Sequence, residues 1–157
     1  MEALEKIIAE KKAAAFYTIA TCHNPTARHL PNNQRNALYN MAEKYKCYMF
    51  VDDVYELLYY DENEERPIPF FYSSDEIVKN YKKGKEIVKF NNNNNRYVIS
   101  LNSLNKLICP GWRVGWIQCH TDIVKILGSL GWIASGGGIC NTMNQFLRSF
   151  IELGFLE

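Results

Sequence analysis

Six side chains in this sequence suit one shared chemistry: Asn24, Asp52, Tyr55, Ser103, Lys106 and Arg113. A lysine amine set among cationic and apolar neighbours condenses with an aldehyde to form a Schiff base. A carboxylate such as Asp52 keeps a pyridinium nitrogen protonated through a charge-assisted hydrogen bond. An arginine and a hydroxyl, here Arg113 and Ser103, suit a phosphate ester. A phenol and an amide, Tyr55 and Asn24, can hydrogen-bond a phenolate oxygen. Each residue taken alone also has a bland reading. Lys106 would be a solvated loop charge, Arg113 a surface ion-pair partner, and Tyr55 a core aromatic with a wet hydroxyl. Asp52-Asp53 could cap a helix or bind a metal, but further ligand residues at suitable spacing are wanting, and no metal site is assigned.

The elements that must position these groups are legible in the pattern. Leu4, Ile7, Ile8 and Lys11 recur at helical spacing. Residues 14–19 read as a buried strand, ending in the punctuated loop Thr21-Cys22-His23-Asn24-Pro25-Thr26. Leu38, Met41, Ala42 and Tyr45 form one apolar helix face. Tyr48-Met49-Phe50-Val51 is a second strand that delivers Asp52 and Tyr55. Strand, helix and strand in this order predict a βαβ unit with a right-handed crossover and a mostly parallel sheet. Residues 61–95 are polar, proline-punctuated and include the tract Asn91 to Asn95, so a surface insertion is expected there.

The pattern resumes with a strand over 96–101, a loop carrying Ser103 and Lys106, and a fourth strand over 113–117 that Arg113 begins. Two helices then close the chain. One runs roughly from Asp122 to Leu130; the other carries Met143, Phe146, Leu147, Phe150 and Ile151 on one face, with Gly154 as a stop. Ligands of parallel α/β sheets bind beyond the carboxyl ends of the strands. Asn24, the Asp52/Tyr55 pair and the Ser103/Lys106 pair all follow strand ends. Aldehyde, pyridinium, phosphate and phenolate, the four partners these residues suit, occur together in pyridoxal phosphate.

Composition narrows the alternatives. The chain has 157 residues, 47% apolar and 13% aromatic, with a formal net charge of +1. One domain with a sizeable core is expected. Near-neutral charge excludes a strongly basic surface built for nucleic acid and leaves room only for a local patch. No eighteen-residue apolar run is present, so no membrane-spanning helix is expected. The stretch MEALEKIIAEKK lacks the apolar centre of a signal peptide. Five widely spaced cysteines without a CxxC pair read as reduced thiols, which suggests a cytoplasmic protein. Gly136-Gly137-Gly138 lacks the Lys and Ser/Thr of a phosphate-binding P-loop.

Three blocks in order carry a family resemblance. They are Tyr17-Thr18 leading to Asn24-Pro25-Thr26, then Val51-Asp52-Asp53-Val54-Tyr55-Glu56, then Ser100-Leu101-Asn102-Ser103-Leu104-Asn105-Lys106 followed by Pro110-Gly111-Trp112-Arg113-Val114-Gly115-Trp116. The sequence resembles the fold-type I pyridoxal-phosphate aminotransferases of class I/II, on the kynurenine/aminoadipate or tyrosine aminotransferase side. The resemblance implies a three-layer α/β/α fold with a mostly parallel sheet, with residues 1–157 forming part of the large domain. It implies pyridoxal 5'-phosphate as cofactor and amino-group transfer from an amino acid to a 2-oxo acid, usually in a homodimer. By position, Lys106 would form the Schiff base and shuttle the proton. Asp52 would pair with the pyridinium nitrogen, and Tyr55 and Asn24 would bind the phenolate oxygen. Ser103 and Arg113 would hold the phosphate, and Asn24 would also approach the substrate carboxylate. Asp53 is expected behind Asp52 or facing solvent. Two positions depart from the family pattern: Ala27 stands for its usual glycine and Asn105 for its usual serine. The chain is expected to hold under half of a family member. The alternatives are a cofactor-binding sensor domain of a transcription regulator and an inactive fragment.

Overall fold

The computed structural model describes residues 1–56, 58, 96–136, 138 and 140–155. The insertion expected over residues 61–95 lies outside them. The elements in chain order are α1 (Glu2–Lys11), β1 (Ala15–Thr18), α2 (Asn32–Tyr45), β2 (Tyr48–Asp52), β3 (Val98–Ser103), β4 (Gly115–Gln118), α3 (Thr121–Gly128), α4 (Gly131–Ala134) and α5 (Asn141–Glu152). A short 3-10 turn at Pro110–Trp112 precedes β4.

Helix α1 carries Glu2 and Glu5 in its first turn and Lys11 in its last, which complements the helix dipole. Both α1 and α2 end on a lysine in the left-handed conformation, Lys12 and Lys46, whose backbone N–H returns to the last turn. Leu38, Met41 and Ala42 of α2 are buried as the spacing predicts. They join Ile8 of α1, Met49 and Val51 of β2 and Val98 of β3 in one core.

The sheet order is β1-β2-β3-β4, with β1, β2 and β3 parallel and β4 antiparallel to β3. This is the mostly parallel α/β sheet expected from the sequence. Alternation splits its residues between two faces. Phe16, Met49, Val51, Val98 and Ser100 lie on the face toward the core; Tyr17, Phe50 and Ile99 lie on the other.

Element bounds shift by one or two residues from the sequence reading, and the larger differences have physical causes. Strand β3 runs on to Ser103, because Ser103 pairs with Gly115 of the neighbouring strand. Strand β4 begins at Gly115 rather than Arg113, because Arg113 adopts φ 54 after the 3-10 turn and cannot extend a strand. A single-turn helix, α4, separates the two closing helices. Gly154 does follow the last helix, with φ 74 and its N–H donating to Ile151 O. His120, which carries no assigned chemistry, caps α3: its Nδ1 accepts from the Asp122 N–H at 3.2 Å.

Gly115 fixes the spacing of β3 and β4. A Cβ there would lie 2.7 Å from the Asn102 carbonyl oxygen, a backbone atom. Gly115→Ala is expected to lower stability by about 1–3 kcal/mol through this overlap. Urea denaturation of the two proteins checks it, and an unchanged midpoint would show that the strands can part without cost.

Candidate functional site

The carboxyl ends of β1, β2 and β3 meet at one sheet edge, and the antiparallel β4 brings its amino end to the same edge. The residues just beyond these ends therefore come together, although Arg113 precedes its strand.

At the end of β2 the alternation sends two adjacent acids to opposite faces. Asp52 lies on the face of Tyr17, whose hydroxyl donates to Asp52 Oδ2 at 2.5 Å. That bond, with a smaller contribution from burial, pushes the Tyr17 phenol up to about 12. Asp52 Oδ1 is buried and accepts no hydrogen bond among the described residues. Asp53 turns toward the core and is 3% exposed. It accepts from Ser100 Oγ at 2.6 Å, and Ser100 Oγ accepts from Asn102 Nδ2 at 2.8 Å. Burial raises the Asp53 carboxyl to about 6, against the pull of the Ser100 hydroxyl and the Arg35 charge. Asp53 therefore does not face solvent: the strand period puts it beneath the sheet edge, behind Asp52.

Arg35 organises the core side of this edge. It is 1% exposed. Its Nε donates to Leu30 O at 2.7 Å, and its Nη2 donates to Ala20 O and Thr21 Oγ1, each at 2.7 Å. These bonds hold both ends of the loop after β1, which carries Asn24. Asn24 itself is exposed in the turn 24–26, and no hydrogen bond joins it to the other candidate residues among those described.

The remaining groups follow β3. Lys106 is exposed, and its Nζ lies 5.9 Å from the centroid of the Tyr55 ring. Tyr55 in turn adds to the upward push on the Tyr17 phenol, which puts the two phenols within electrostatic range. The Asn105 N–H donates to Ser103 Oγ at 3.1 Å, a local turn that sets Lys106 beyond the strand. With its amide oxygen toward donors, Asn105 accepts from Arg113 Nη1 at 2.9 Å, lies 3.2 Å from Ser103 Oγ and donates to Pro110 O at 3.2 Å. Ser103 Oγ is also 3.2 Å from Val114 O, and its single proton serves one of the two. The structure thus sets Lys106 beside Tyr55 and brings Ser103 and Arg113 each to Asn105, while Asp52 meets Tyr17 and Asn24 joins none of them among the described residues.

Tyr17 and Arg35 carry no role in the sequence reading. Arg35 has a local signal: it lies three residues before Leu38 on the apolar stripe of α2, where a charged side chain must find buried partners. Tyr17 has none, since its contact depends on the β1–β2 register. The Cys22 thiol near the loop is pushed up by burial, away from thiolate character. Among the described residues no cluster of His, Cys, Asp or Glu could hold a metal ion, and no helix is long and apolar enough to cross a membrane.

The sequence profile of the family described as "Aminotransferase class I and II" matches residues 1–151. The chain belongs to that family. Similar members include an aromatic amino acid aminotransferase of Schizosaccharomyces pombe, 32% identical over 116 residues, which cover 73% of this chain and 24% of that one. Among solved structures, LysN, an alpha-aminoadipate aminotransferase from Thermus thermophilus complexed with N-(5'-phosphopyridoxyl)-L-leucine, superposes with TM-score 0.73 at 22% identity, over 98% of this chain and 35% of that one. A kynurenine aminotransferase of Pyrococcus horikoshii gives TM-score 0.69 at 22% identity, over 98% of this chain and 34% of that one. Likeness extends to the helix-turn-helix transcriptional regulator YdfD of Bacillus subtilis, 27% identical over 121 residues, 77% of this chain and 21% of that one. The chain spans about a quarter of the length of the curated relatives it matches.

Two features of this aminotransferase-family chain are open to measurement. Ala27, where the family pattern has glycine, sits at φ 57, and its N–H donates to His23 O at 2.6 Å. A Cβ in that region costs about 1 kcal/mol or more. Ala27→Gly is expected to stabilise the chain by about 1 kcal/mol in urea denaturation, and a loss would show that the turn holds Ala27 without strain. Asp53, raised from 3.8 to about 6, binds its proton more tightly in the folded chain than in the unfolded one. Its contribution to stability therefore falls as pH rises from about 4 to about 6, by up to about 3 kcal/mol. The urea midpoint of Asp53→Asn is expected to lack this part of the slope; parallel profiles for the two proteins would contradict it.

Proposed function

We propose that this chain forms the pyridoxal 5'-phosphate-binding core of an aminotransferase that moves an amino group from an amino acid to a 2-oxo acid. One observation carries the reading. At a single sheet edge lie a carboxylate with a buried oxygen that lacks a partner among the described residues, an exposed amine beside a phenol, and a guanidinium and a hydroxyl that both engage Asn105, the residue before that amine.

The donor set fits the cofactor. When bound, pyridoxal phosphate supplies an aldehyde carbon and an electron-withdrawing pyridinium ring. Asp52 would accept from the ring nitrogen through Oδ1, its oxygen without a partner among the described residues, and its negative charge would keep that nitrogen protonated. Tyr55 would donate to the phenolate oxygen, joined by Asn24 if the turn 24–26 closes over the ring. Arg113 and Ser103 would hold the phosphate. Both now engage Asn105, so they are already drawn to one spot, and phosphate would replace the amide oxygen as acceptor. Lys106 would hold the aldehyde carbon and afterwards carry a proton to and from the substrate α-carbon. The Tyr55 ring beneath the ammonium limits where that amine can reach. The partners of such a protein would be amino acids, 2-oxo acids and a second copy of the full-length chain, in the cytoplasm, with neither nucleic acid nor membrane involved.

The similarity to a transcriptional regulator supports a second reading, in which the same residues hold the cofactor without turnover. Borohydride reduction of the protein mixed with pyridoxal phosphate is expected to leave a phosphopyridoxyl group on Lys106, located by peptide mass spectrometry, and Lys106→Ala is expected to lose it. Label elsewhere, or label retained in Lys106→Ala, would overturn both readings. Formation of pyridoxamine phosphate on adding an amino acid separates enzyme from sensor.

A further inference from the structure

We infer that Tyr17 is a positioning residue: its hydroxyl clamps Oδ2 of Asp52 so that Oδ1 alone is left to meet the ring nitrogen of the cofactor. This rests on the cofactor-binding reading above and adds to it a residue from a neighbouring strand.

The argument is geometric. Tyr17 pairs with Phe50 in the parallel register of β1 and β2, so it lies on the same face as Asp52, two residues further along β2. A phenol is long enough to cover that diagonal, and the 2.5 Å contact shows that it does. A carboxylate has two oxygens that can exchange places by rotation about one bond. A donor on Oδ2 removes that freedom. The other oxygen is then both buried and without a partner among the described residues, which is costly unless something donates to it. The hydroxyl remains a donor throughout the neutral range, because its ionisation is pushed up to about 12.

Tyr17 is 58% exposed, on the edge strand β1 of the described sheet. It carries little of the core, so Tyr17→Phe can remove the hydroxyl without removing the fold. If the hydroxyl only decorated the surface, its loss would alter neither Asp52 nor anything bound to it.

The test is a double-mutant cycle on pyridoxal phosphate uptake, read by fluorescence titration and confirmed by borohydride trapping at Lys106. The four proteins are the unsubstituted chain, Tyr17→Phe, Asp52→Asn and the double variant, each checked for unchanged far-UV circular dichroism. Tyr17→Phe is expected to weaken uptake about tenfold, as for loss of one hydrogen bond to a charged group, and to cause no further loss in the Asp52→Asn background. A second readout needs no cofactor. The ultraviolet titration of the phenols in the free protein should lose one group near 12 in Tyr17→Phe, and that group should move down toward 10 in Asp52→Asn. Uptake unaffected by Tyr17→Phe, or an equal loss in both backgrounds, would overturn the role of Tyr17 while leaving the cofactor site standing. No uptake by the unsubstituted chain would overturn the cofactor-binding reading and this inference with it.

Discussion

Two carboxylates that are neighbours on a strand cannot point the same way, and the site depends on that constraint. At the end of β2 the pleat sends Asp53 down into the core and leaves Asp52 on the opposite face. Asp53 is met there by the Ser100 hydroxyl and the nearby Arg35 charge, and even so burial raises its carboxyl to about 6. Asp52 is met by a single phenol on the other face, and each acid keeps its Oδ1 buried without a partner among the described residues. A shift of one residue in the register of β2 would exchange these environments and bury the wrong acid.

The core side of the edge is held by a cation rather than by apolar packing alone. The Arg35 guanidinium donates to Leu30 O, Ala20 O and Thr21 Oγ1 around a loop without regular structure, beside the Leu30 N–H to Ala20 O bond that closes the same loop. The loop that carries Asn24 is thereby tied to helix α2. The other two strand ends obtain their rigidity differently. Beyond β3, the Ser103–Asn105 turn and the left-handed Arg113 close a small circuit that brings the guanidinium back over the strand end. The antiparallel β4 makes that return possible within a short loop, which a parallel neighbour would not allow.

How far the sequence can be read follows from which forces are local. The alternating and helical spacings of β1, α2, β2 and β3 are local, and their order is enough to place three strand ends at one edge. From sequence, strand β3 ends at Leu101, because its last two residues depend on pairing with Trp116 and Gly115, across an intervening loop. Arg113 reads as part of a strand because Val114 and Trp116 suit one, whereas the turn at Pro110–Trp112 decides its backbone. Tyr17 and the burial of Asp53 follow from register and from which face the helices cover, neither of which any short window of sequence contains. The roles proposed for Asn24, Asp52, Tyr55, Ser103, Lys106 and Arg113 come from the ordered motifs, and the structure supplies their surroundings rather than their chemistry.

The division of labour between the two acids is best tested by carbon-13 NMR of the aspartate side-chain carboxyls, assigned through Asp52→Asn and Asp53→Asn, while pyridoxal phosphate is added to the full chain. The Asp52 carboxyl carbon should shift and saturate with the cofactor, and the Asp53 carbon should stay in place. A response at Asp53 with Asp52 silent, or equal responses at both, would contradict the account.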